Sequence, residues 1–317
     1  MIPIKQKQNR VWRSYTGGLP LNRWQGNAEA DGDTPEEWVG STVPARGKNR
    51  PANEGLSVML TPDDEGLLKD LIAANPEEYL GKRIAEEYGD TALLVKLLDS
   101  KERLTVQVHP TRADAEKYFN SRFGKTEGWY ILETREVDGE QAYVYLGFKE
   151  GVTAEEWGKY FFEQNIEAML NCLHKVYVKP GDCFIVEGGT PHAIGSGCFL
   201  LEIQEPTDYT LRVEKITPQG VELDEAGRVA VVVGDGAFLE GYEVLVVKRV
   251  RALAADHRDI TLVKLEPHLA ADEFLAAVNG SLEHCALRGE PEAVIDKLGI
   301  FRHQLVLEMH GTAVERD

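Results

Sequence analysis

The sequence predicts a mainly β fold, a sandwich or barrel of short strands with a few inserted α-helices. Short apolar runs separated by Gly-, Pro- and Asp-containing turns extend from about residue 92 to about residue 251. Apolar residues at helical spacing occur mainly near 62–89 and 153–173. Because these helical segments do not alternate regularly with strands, the pattern favours a sandwich or barrel over a parallel α/β sheet.

The composition is ordinary for a globular protein with an acidic surface. Of 317 residues, 43% are hydrophobic and 28% charged, and the formal net charge is −18. This charge argues against nucleic acid or an anionic membrane surface as the main partner. We expect a cytoplasmic protein, because no run approaches ~18 apolar residues and the first residues lack a signal-peptide pattern. The four cysteines lack Cys-x-x-Cys spacing and are expected to be reduced. The oligomeric state is not readable from the sequence.

Helix signals stand at two places. At Thr61 a hydroxyl cap is followed by proline in the first turn and by two acids that the helix dipole favours. Asn75-Pro76 restarts the helical pattern. The second segment opens with a capping box, Thr153-Ala-Glu-Glu156.

One predicted strand carries an unusual polar stripe. Strands are expected at Leu93–Leu98, Leu104–His109, Trp129–Leu132 and Tyr143–Phe148, with strand and turn continuing from Val176 to about Arg251. In the second of these, alternation places Thr105, Gln107 and His109 on one face and Val106 and Val108 on the other. A polar face that points inward is typical of a strand that lines a site.

Two short segments offer candidate metal ligands. Gln107 and His109 lie two residues apart on one strand face, the rigid spacing that a preformed site requires. Taken alone, a strand-end histidine satisfied by a hydrogen bond is the more ordinary interpretation. In Lys125-Thr-Glu127, alternation puts both side chains on one face, where the cation could hold a phosphate beside a metal. An exposed surface ion pair is the alternative.

The run from Pro180 to His192 is more specific. A Pro-Gly-Asp turn precedes the buried strand Cys183–Val186, and Gly188-Gly189 turns the chain again before Thr-Pro-His192. This arrangement resembles the second motif of the cupin superfamily, double-stranded β-helix jelly-roll barrels that hold a metal between strands. A cupin without metal is the alternative.

The segment after His192 carries two further charged candidates. Glu202 lies within an apolar strand, where an acid is uncomfortable unless it is paired or catalytic. Arg212 follows in another strand, and its guanidinium suits a carboxylate, a phosphate or an enediolate.

Four motifs occur in one order over roughly residues 10–213 and resemble the type I mannose-6-phosphate isomerase family. They are Gln-Val-His-Pro, Lys-Thr-Glu-x-Trp-Tyr, Gly-Thr-Pro-His-Ala-Ile-Gly and Leu-Glu-Ile-Gln-x-x-x-Asp-x-Thr-x-Arg. The resemblance implies one zinc ion per chain on Gln107, His109, Glu127 and His192. It also implies that Arg212 is essential to catalysis and that Lys125 and Glu202 lie in the pocket. Glu37-Trp38-Val-Gly-Ser41 resembles an early segment of that family, which makes Ser41 a weaker phosphate candidate.

The resemblance weakens after Arg212, where Val213-Glu-Lys-Ile replaces an expected aromatic-acidic segment. We therefore expect a catalytic cupin domain at 1–240 and a C-terminal region at 241–317. The latter is a candidate for a reduced second cupin-like domain. A helix at Ala271–Val278, a strand at Ile260–Leu265 and a last apolar run at Leu305 are expected there.

The implied reaction interconverts mannose 6-phosphate and fructose 6-phosphate through a cis-enediol, with the metal as Lewis acid. Glu202 is the candidate base, and a hydroxide on the metal is its competitor. Arg212 would steady the enediolate or the phosphate, and Lys125 is a weaker phosphate candidate. Two alternatives remain open: a cupin isomerase for another sugar or sugar phosphate, and a non-enzymatic sugar-binding paralogue.

Overall fold

The computed structural model describes residues 4–45, 50–61 and 65–223, and the backbone of three short strands beyond them. The helices are α1 Leu19–Trp24, α2 Leu68–Ala74, α3 Pro76–Glu87, α4 Arg112–Phe119, α5 Ala154–Glu163 and α6 Ile166–Asn171. The strands are β1 Lys5–Gln6, β2 Arg10–Val11, β3 Glu36–Val39, β4 Val58–Leu60, β5 Glu65–Leu67, β6 Leu94–Ser100, β7 Gln107–Val108, β8 Glu127–Thr134, β9 Tyr143–Phe148, β10 Leu173–Tyr177, β11 Asp182–Val186, β12 His192–Ile194, β13 Cys198–Gln204, β14 Leu211–Arg212, β15 Val231–Val233, β16 Leu245–Val247 and β17 Val263–Lys264.

Two antiparallel sheets face each other and form the predicted jelly roll. One has the strand order β17-β11-β8-β13-β6-β3-β2, and the other has the order β10-β9-β12-β7-β14. The side chains between the sheets form one buried cluster, to which Trp129 and Leu200 contribute from the first sheet and Val144 and Ile194 from the second. The expected cupin fold, mainly β with inserted helices, is confirmed.

The outer face of the five-stranded sheet is covered by α5 and α6. Val106, Val108 and Phe148 pack there against Trp157 and Met169. Burying side chains of this size stabilises the fold by about 1.5–3 kcal/mol each. Because Val106 and Val108 point outward to the helices, the residue between them points into the sandwich, as the alternation predicted.

The helix boundaries differ in part from the expectation. The predicted helix start at Thr61 is wrong, since Glu65–Leu67 instead forms β5 and pairs with β4, and α2 begins only at Leu68. Hydrogen bonding to β4 keeps Glu65–Leu67 extended, although the local sequence signals favour a helix there. The capping box is confirmed: Thr153 Oγ1 accepts a hydrogen bond of 3.1 Å from the Glu156 N–H. That helix ends at Gln164, which has a φ of 52°, so the segment consists of two helices.

The expectations for the C-terminal region lie almost entirely outside the described residues. This holds for the boundary between 240 and 241, the helix at 271–278 and the apolar run at 305. Of the strand expected at Ile260–Leu265, the structure describes Val263–Lys264, which pairs with β11. Among the described residues, no helix combines the length and the apolar character needed to cross a bilayer.

Candidate metal centre

Strand register brings the predicted site residues to one inner face. Gln107 on β7 lies directly opposite His192 on β12 and, on its other side, opposite Arg212 on β14. Residues opposite each other on adjacent strands point to the same side of a sheet. The facing sheet contributes Glu127, the first residue of β8.

Two glycines let the three ligand-bearing segments approach each other. A Cβ at Gly124 or at Gly188 would lie only 2.6 Å from the carbonyl oxygen of Pro110, the residue after His109. The Lys125 N–H donates to that same carbonyl at 3.0 Å. Larger residues at either glycine would therefore push the His109 segment away from the segments that carry Glu127 and His192.

Both imidazoles present an unprotonated nitrogen to the centre of the site. His109 Nδ1 lies 2.8 Å from the Tyr209 carbonyl oxygen, and His192 Nδ1 lies 2.8 Å from that of Thr190. Each Nδ1 must donate to its carbonyl, which leaves the Nε2 lone pair facing inward. Burial lowers the pKa of His192, and burial together with the Lys125 ammonium lowers that of His109 to about 3. Neutral imidazoles are the form that binds metals.

The Glu127 carboxylate completes a cluster that needs a cation. Burial would raise the pKa of Glu127, but Lys125 Nζ, 3.1 Å from Oε1, and the two histidines together outweigh burial and hold this pKa well below its ordinary value. Glu127 Oε1 and His109 Nε2 are both acceptors and lie 3.0 Å apart, and the Lys125 ammonium lies 3.1 Å from each of them. Among the described residues Oε1 has no partner of hydrogen-bond geometry. Two facing acceptors of this kind suit a bound metal ion.

The donor set fits a divalent ion of intermediate softness. One ligand atom from each of His109, Glu127 and His192 lies within 4.8 Å of the other two. Gln107 Nε2 lies 3.2 Å from His192 Nε2, so a rotation of the amide would present Oε1 to the same point. Imidazole and carboxylate ligands with an open position are typical of catalytic zinc sites.

Gln107 and Lys125, which contact the two histidines of the cluster, line a cavity of about 830 Å³ with many charged groups. The cations that line it are Arg13, Lys96, Arg103, Lys125 and Arg212, and the carboxylates are Glu36, Glu202, Asp208 and Glu222. In a chain of net charge −18, such a concentration of cations in one cavity favours an anionic small molecule as occupant.

Glu202 and Lys96 form a buried ion pair in this cavity. Lys96 Nζ donates to Glu202 Oε1 at 2.8 Å, and each side chain is only 4% exposed. Burial and the nearby Glu127 carboxylate raise the pKa of Glu202, against the opposing charge of Lys96. The sequence reasoning did not select Lys96 as a site residue. A charged residue inside the apolar run Leu93–Leu98 was the available signal, the same one that selected Glu202.

Two other predicted residues have different surroundings. Arg212 lines the cavity, and burial lowers the pKa of its guanidinium. Ser41 is fully buried, and its hydroxyl donates to the Val43 carbonyl at 3.0 Å and accepts from the Val43 N–H at 3.1 Å. Ser41 is not among the residues that line the cavity.

Comparisons with known proteins agree on one family. Residues 25–133 match the family model for the catalytic domain of type I phosphomannose isomerase. The mannose-6-phosphate isomerase of Streptococcus mutans is 31% identical over 210 residues, which cover 65% of this chain and 58% of the relative. ManA of Bacillus subtilis is 40% identical over 121 residues, 38% of this chain and 36% of its own. The chain thus spans less than two thirds of the curated relatives it matches.

Solved structures show the same architecture. The mannose 6-phosphate isomerase of Bacillus subtilis superposes with a TM-score of 0.51 at 27% identity, over 70% of this chain and 64% of that one. A mannose 6-phosphate isomerase described as holo and zinc-bound has a TM-score of 0.51 at 17% identity, over 66% and 70% of the two chains, and supports the fold alone. The chain is thus similar to the type I phosphomannose isomerase family: in the family model over residues 25–133, in sequence over 65% of its length and in fold over 70% of it.

Proposed function

We propose that this protein is a zinc-dependent aldose–ketose isomerase that interconverts mannose 6-phosphate and fructose 6-phosphate through a cis-enediol. The observation that carries this proposal is the convergence of His109, Glu127 and His192 beside a cation-rich cavity. The names of the Streptococcus and Bacillus relatives support the substrate. The chemistry of the His109, Glu127 and His192 ligand set supports the metal.

Gln107, His109, Glu127 and His192 would hold the ion. When bound, zinc supplies Lewis-acid polarisation of the substrate's carbonyl and hydroxyl oxygens. The two backbone carbonyls behind the imidazoles fix the ring orientation, so the protein contributes a preformed ligand set.

Glu202 is our candidate for moving the proton between C1 and C2. Its carboxylate lies in the cavity, and its raised pKa brings it toward the range in which a carboxylate can both accept and return a proton. Lys96 holds Oε1 in place at 2.8 Å, which leaves the other oxygen for the substrate.

Arg212 would stabilise the negative charge that develops on the enediolate oxygens. Its register position beside Gln107 places it next to the metal ligands on the same sheet face. Arg212 lines the cavity with Asp208 as an acidic neighbour, and its guanidinium donors can point to a ligand there. Lys125, between His109 and Glu127, would add positive charge at the same end of the cavity.

The placement of this activity in the chain follows from the same residues. We propose that residues 1–240 form the catalytic domain and that 241–317 form a C-terminal region, from which β17 adds a strand to the seven-stranded sheet. The described residues that line the cavity all lie before position 224. The buried, unpaired cysteines at 172, 183 and 198 favour action in the reducing cytoplasm.

The decisive experiment couples metal analysis to an isomerase assay. We expect about one zinc per chain, turnover of mannose 6-phosphate, loss of turnover with a chelator and recovery on adding zinc. A metal-loaded protein without turnover of any hexose phosphate would instead indicate a sugar-binding paralogue.

A second candidate function is isomerisation of a different sugar or sugar phosphate. The segment after Arg212, where the family pattern changes, forms part of the cavity wall through Thr217, Pro218, Val221 and Leu223. A panel of aldose and ketose phosphates and neutral sugars separates the two candidates by kcat/KM.

A further inference from the structure

A buried arginine outside all four motifs enters the same cavity. Arg13 lies two residues after β2, and its side chain is 15% exposed. Its Nε lies 2.9 Å from Glu36 Oε1, and its guanidinium carbon lies 5.0 Å from the centre of the Trp38 ring. The ion pair and the ring fix one edge and one face of the guanidinium.

Two further hydrogen bonds fix the Glu36 carboxylate that binds this arginine. Its carboxylate also accepts hydrogen bonds of 2.7 Å from the Tyr15 hydroxyl and of 2.7 Å from Trp38 Nε1. Burial would raise the pKa of Glu36, but Arg13 and Lys96 outweigh burial and lower it to about 2. The carboxylate is therefore ionised at every physiological pH and holds Arg13 in one orientation.

The outer edge of the Arg13 guanidinium has a second acidic neighbour, Asp208, but no hydrogen bond to it. Asp208 Oδ1 lies 3.9 Å from Nη2, which is beyond hydrogen-bond distance. Arg212 also interacts with Asp208, and the charge of Arg13 adds to the lowering of the Arg212 pKa. Two guanidiniums thus share Asp208 as an acidic neighbour at this end of the cavity, and Nη2 of Arg13 keeps N–H groups that can bind an anion.

Arg13 and the metal ligands lie at opposite ends of the cavity. Glu127 lies on β8, Glu202 on β13, Lys96 on β6, and the Arg13 partners Glu36 and Trp38 on β3, in that spatial order. Three strand spacings separate β8 from β3, roughly 14 Å. An extended sugar phosphate could therefore place its carbonyl end at the metal ligands and its phosphate at Arg13.

We propose that Arg13 binds the phosphate group of the substrate and makes the cavity selective for phosphorylated over neutral sugars. This inference rests on the proposed function for the choice of a sugar phosphate. The planar guanidinium, held by Glu36 on one edge, would bind phosphate oxygens with Nη2 and the remaining N–H groups. Glu36 acts as a positioning residue for Arg13.

The test measures ligand binding, so that it does not depend on turnover. Calorimetry would compare sorbitol 6-phosphate, inorganic phosphate and neutral sorbitol as probes of the zinc-loaded protein. Because Arg13→Gln alone leaves Glu36 buried and unpaired, the main variant is the double substitution Arg13→Gln/Glu36→Gln. Arg83→Gln is the matched control, since Arg83 is an exposed arginine on α3 whose Nη1 lies 3.6 Å from Glu87.

We expect the double variant to keep its zinc and to bind both phosphate probes roughly 10- to 100-fold more weakly, the effect of losing one charge-assisted contact. The Arg83→Gln control should bind like wild type. Unchanged phosphate affinity in the double variant would overturn the proposal, and so would an equal loss of affinity for neutral sorbitol.

Turnover separates this inference from the proposed function. If the wild type binds sorbitol 6-phosphate through Arg13 but turns over no hexose phosphate, the proposed function fails and the Arg13 assignment stands. If the wild type is an active isomerase and the double variant keeps its KM for the sugar phosphate, the assignment fails and the proposed function stands.

Discussion

At the residue scale, a substitution of Arg212 tests catalysis independently of metal binding. It lines the cavity beside Gln107 but is not part of the His109–Glu127–His192 cluster. We expect Arg212→Ala to lower kcat by roughly 10²–10³, the usual effect of removing one donor to a developing oxyanion. Zinc content, measured by mass spectrometry, should stay at the wild-type level. Turnover within a factor of two of wild type would exclude the assigned role.

Glu202 is tested by a substitution that keeps its shape. Glu202→Gln removes the proton acceptor, and we expect kcat to fall by roughly 10²–10⁴ with KM little changed. Because Lys96 would lose its buried partner, the double variant Glu202→Gln/Lys96→Met should recover stability in urea unfolding but not turnover. Full activity of the Glu202→Gln variant would show that another group is the base.

At the element scale, the site depends on how closely three backbone segments approach. Gly188→Ala places a Cβ 2.6 Å from the Pro110 carbonyl and must displace the segment that carries His109. We expect zinc affinity, measured by competition with a chelating dye, to fall roughly 10- to 100-fold. Gly158→Ala is the control, since a Cβ on this α5 residue meets nothing within 4 Å. This control should leave zinc affinity unchanged and stabilise the helix by about 1 kcal/mol.

Asp99 in β6 is a buried carboxylate whose charge depends on pH, and it accepts a hydrogen bond from the Gly18 N–H just before α1. Burial raises the pKa of Asp99 to about 6, although Arg135 Nη2 at 3.0 Å and the Gly18 N–H oppose it. Because its folded pKa is raised, Asp99 holds its proton more tightly in the folded state. Its contribution to stability is therefore present below about pH 4 and lost as the pH rises to about 6.

The Asp99→Asn variant should not show this loss of stability between about pH 4 and pH 6, because it has no carboxyl group to ionise at that position. From pH 4 to pH 7, the free energy of unfolding of the wild type should fall relative to that of the variant by about 3 kcal/mol, the value of a shift of about 2 units. Urea unfolding at several pH values measures this difference. The exposed Asp138→Asn variant should run parallel to the wild type, and a parallel curve for Asp99→Asn would contradict the assigned cause.

At the scale of the whole molecule, the sequence predicted what local pattern and motif determine. Alternation correctly assigned the inward face of β7, and the capping box correctly marked the start of α5. The helix start at Thr61 was wrong because the pairing of β5 with β4 overrides the local signals. Lys96 was not selected as a site residue although its charge inside an apolar run was a usable signal. Arg13 was not selected because it reaches the cavity only through strand order, which one chain does not reveal.

The same strand order makes the metal a link between the two sheets. Glu127 belongs to the seven-stranded sheet, whereas Gln107 and His192 belong to the five-stranded one. An ion bound by all three stabilises only the folded arrangement, by about 2.7 kcal/mol when zinc is present at 100 times its dissociation constant. For a chain of 317 residues, removing zinc with a chelator should lower Tm by roughly 4 °C. Added zinc should restore Tm.

A variant that cannot bind zinc distinguishes this linkage from a general effect of the chelator. His192→Asn removes one ligand from the five-stranded sheet, so its Tm should be low from the start and insensitive to either chelator or zinc. If the chelator lowers the Tm of the wild type and of this variant equally, it acts elsewhere on the protein. If it lowers neither, the ligand cluster does not hold the two sheets together through a metal.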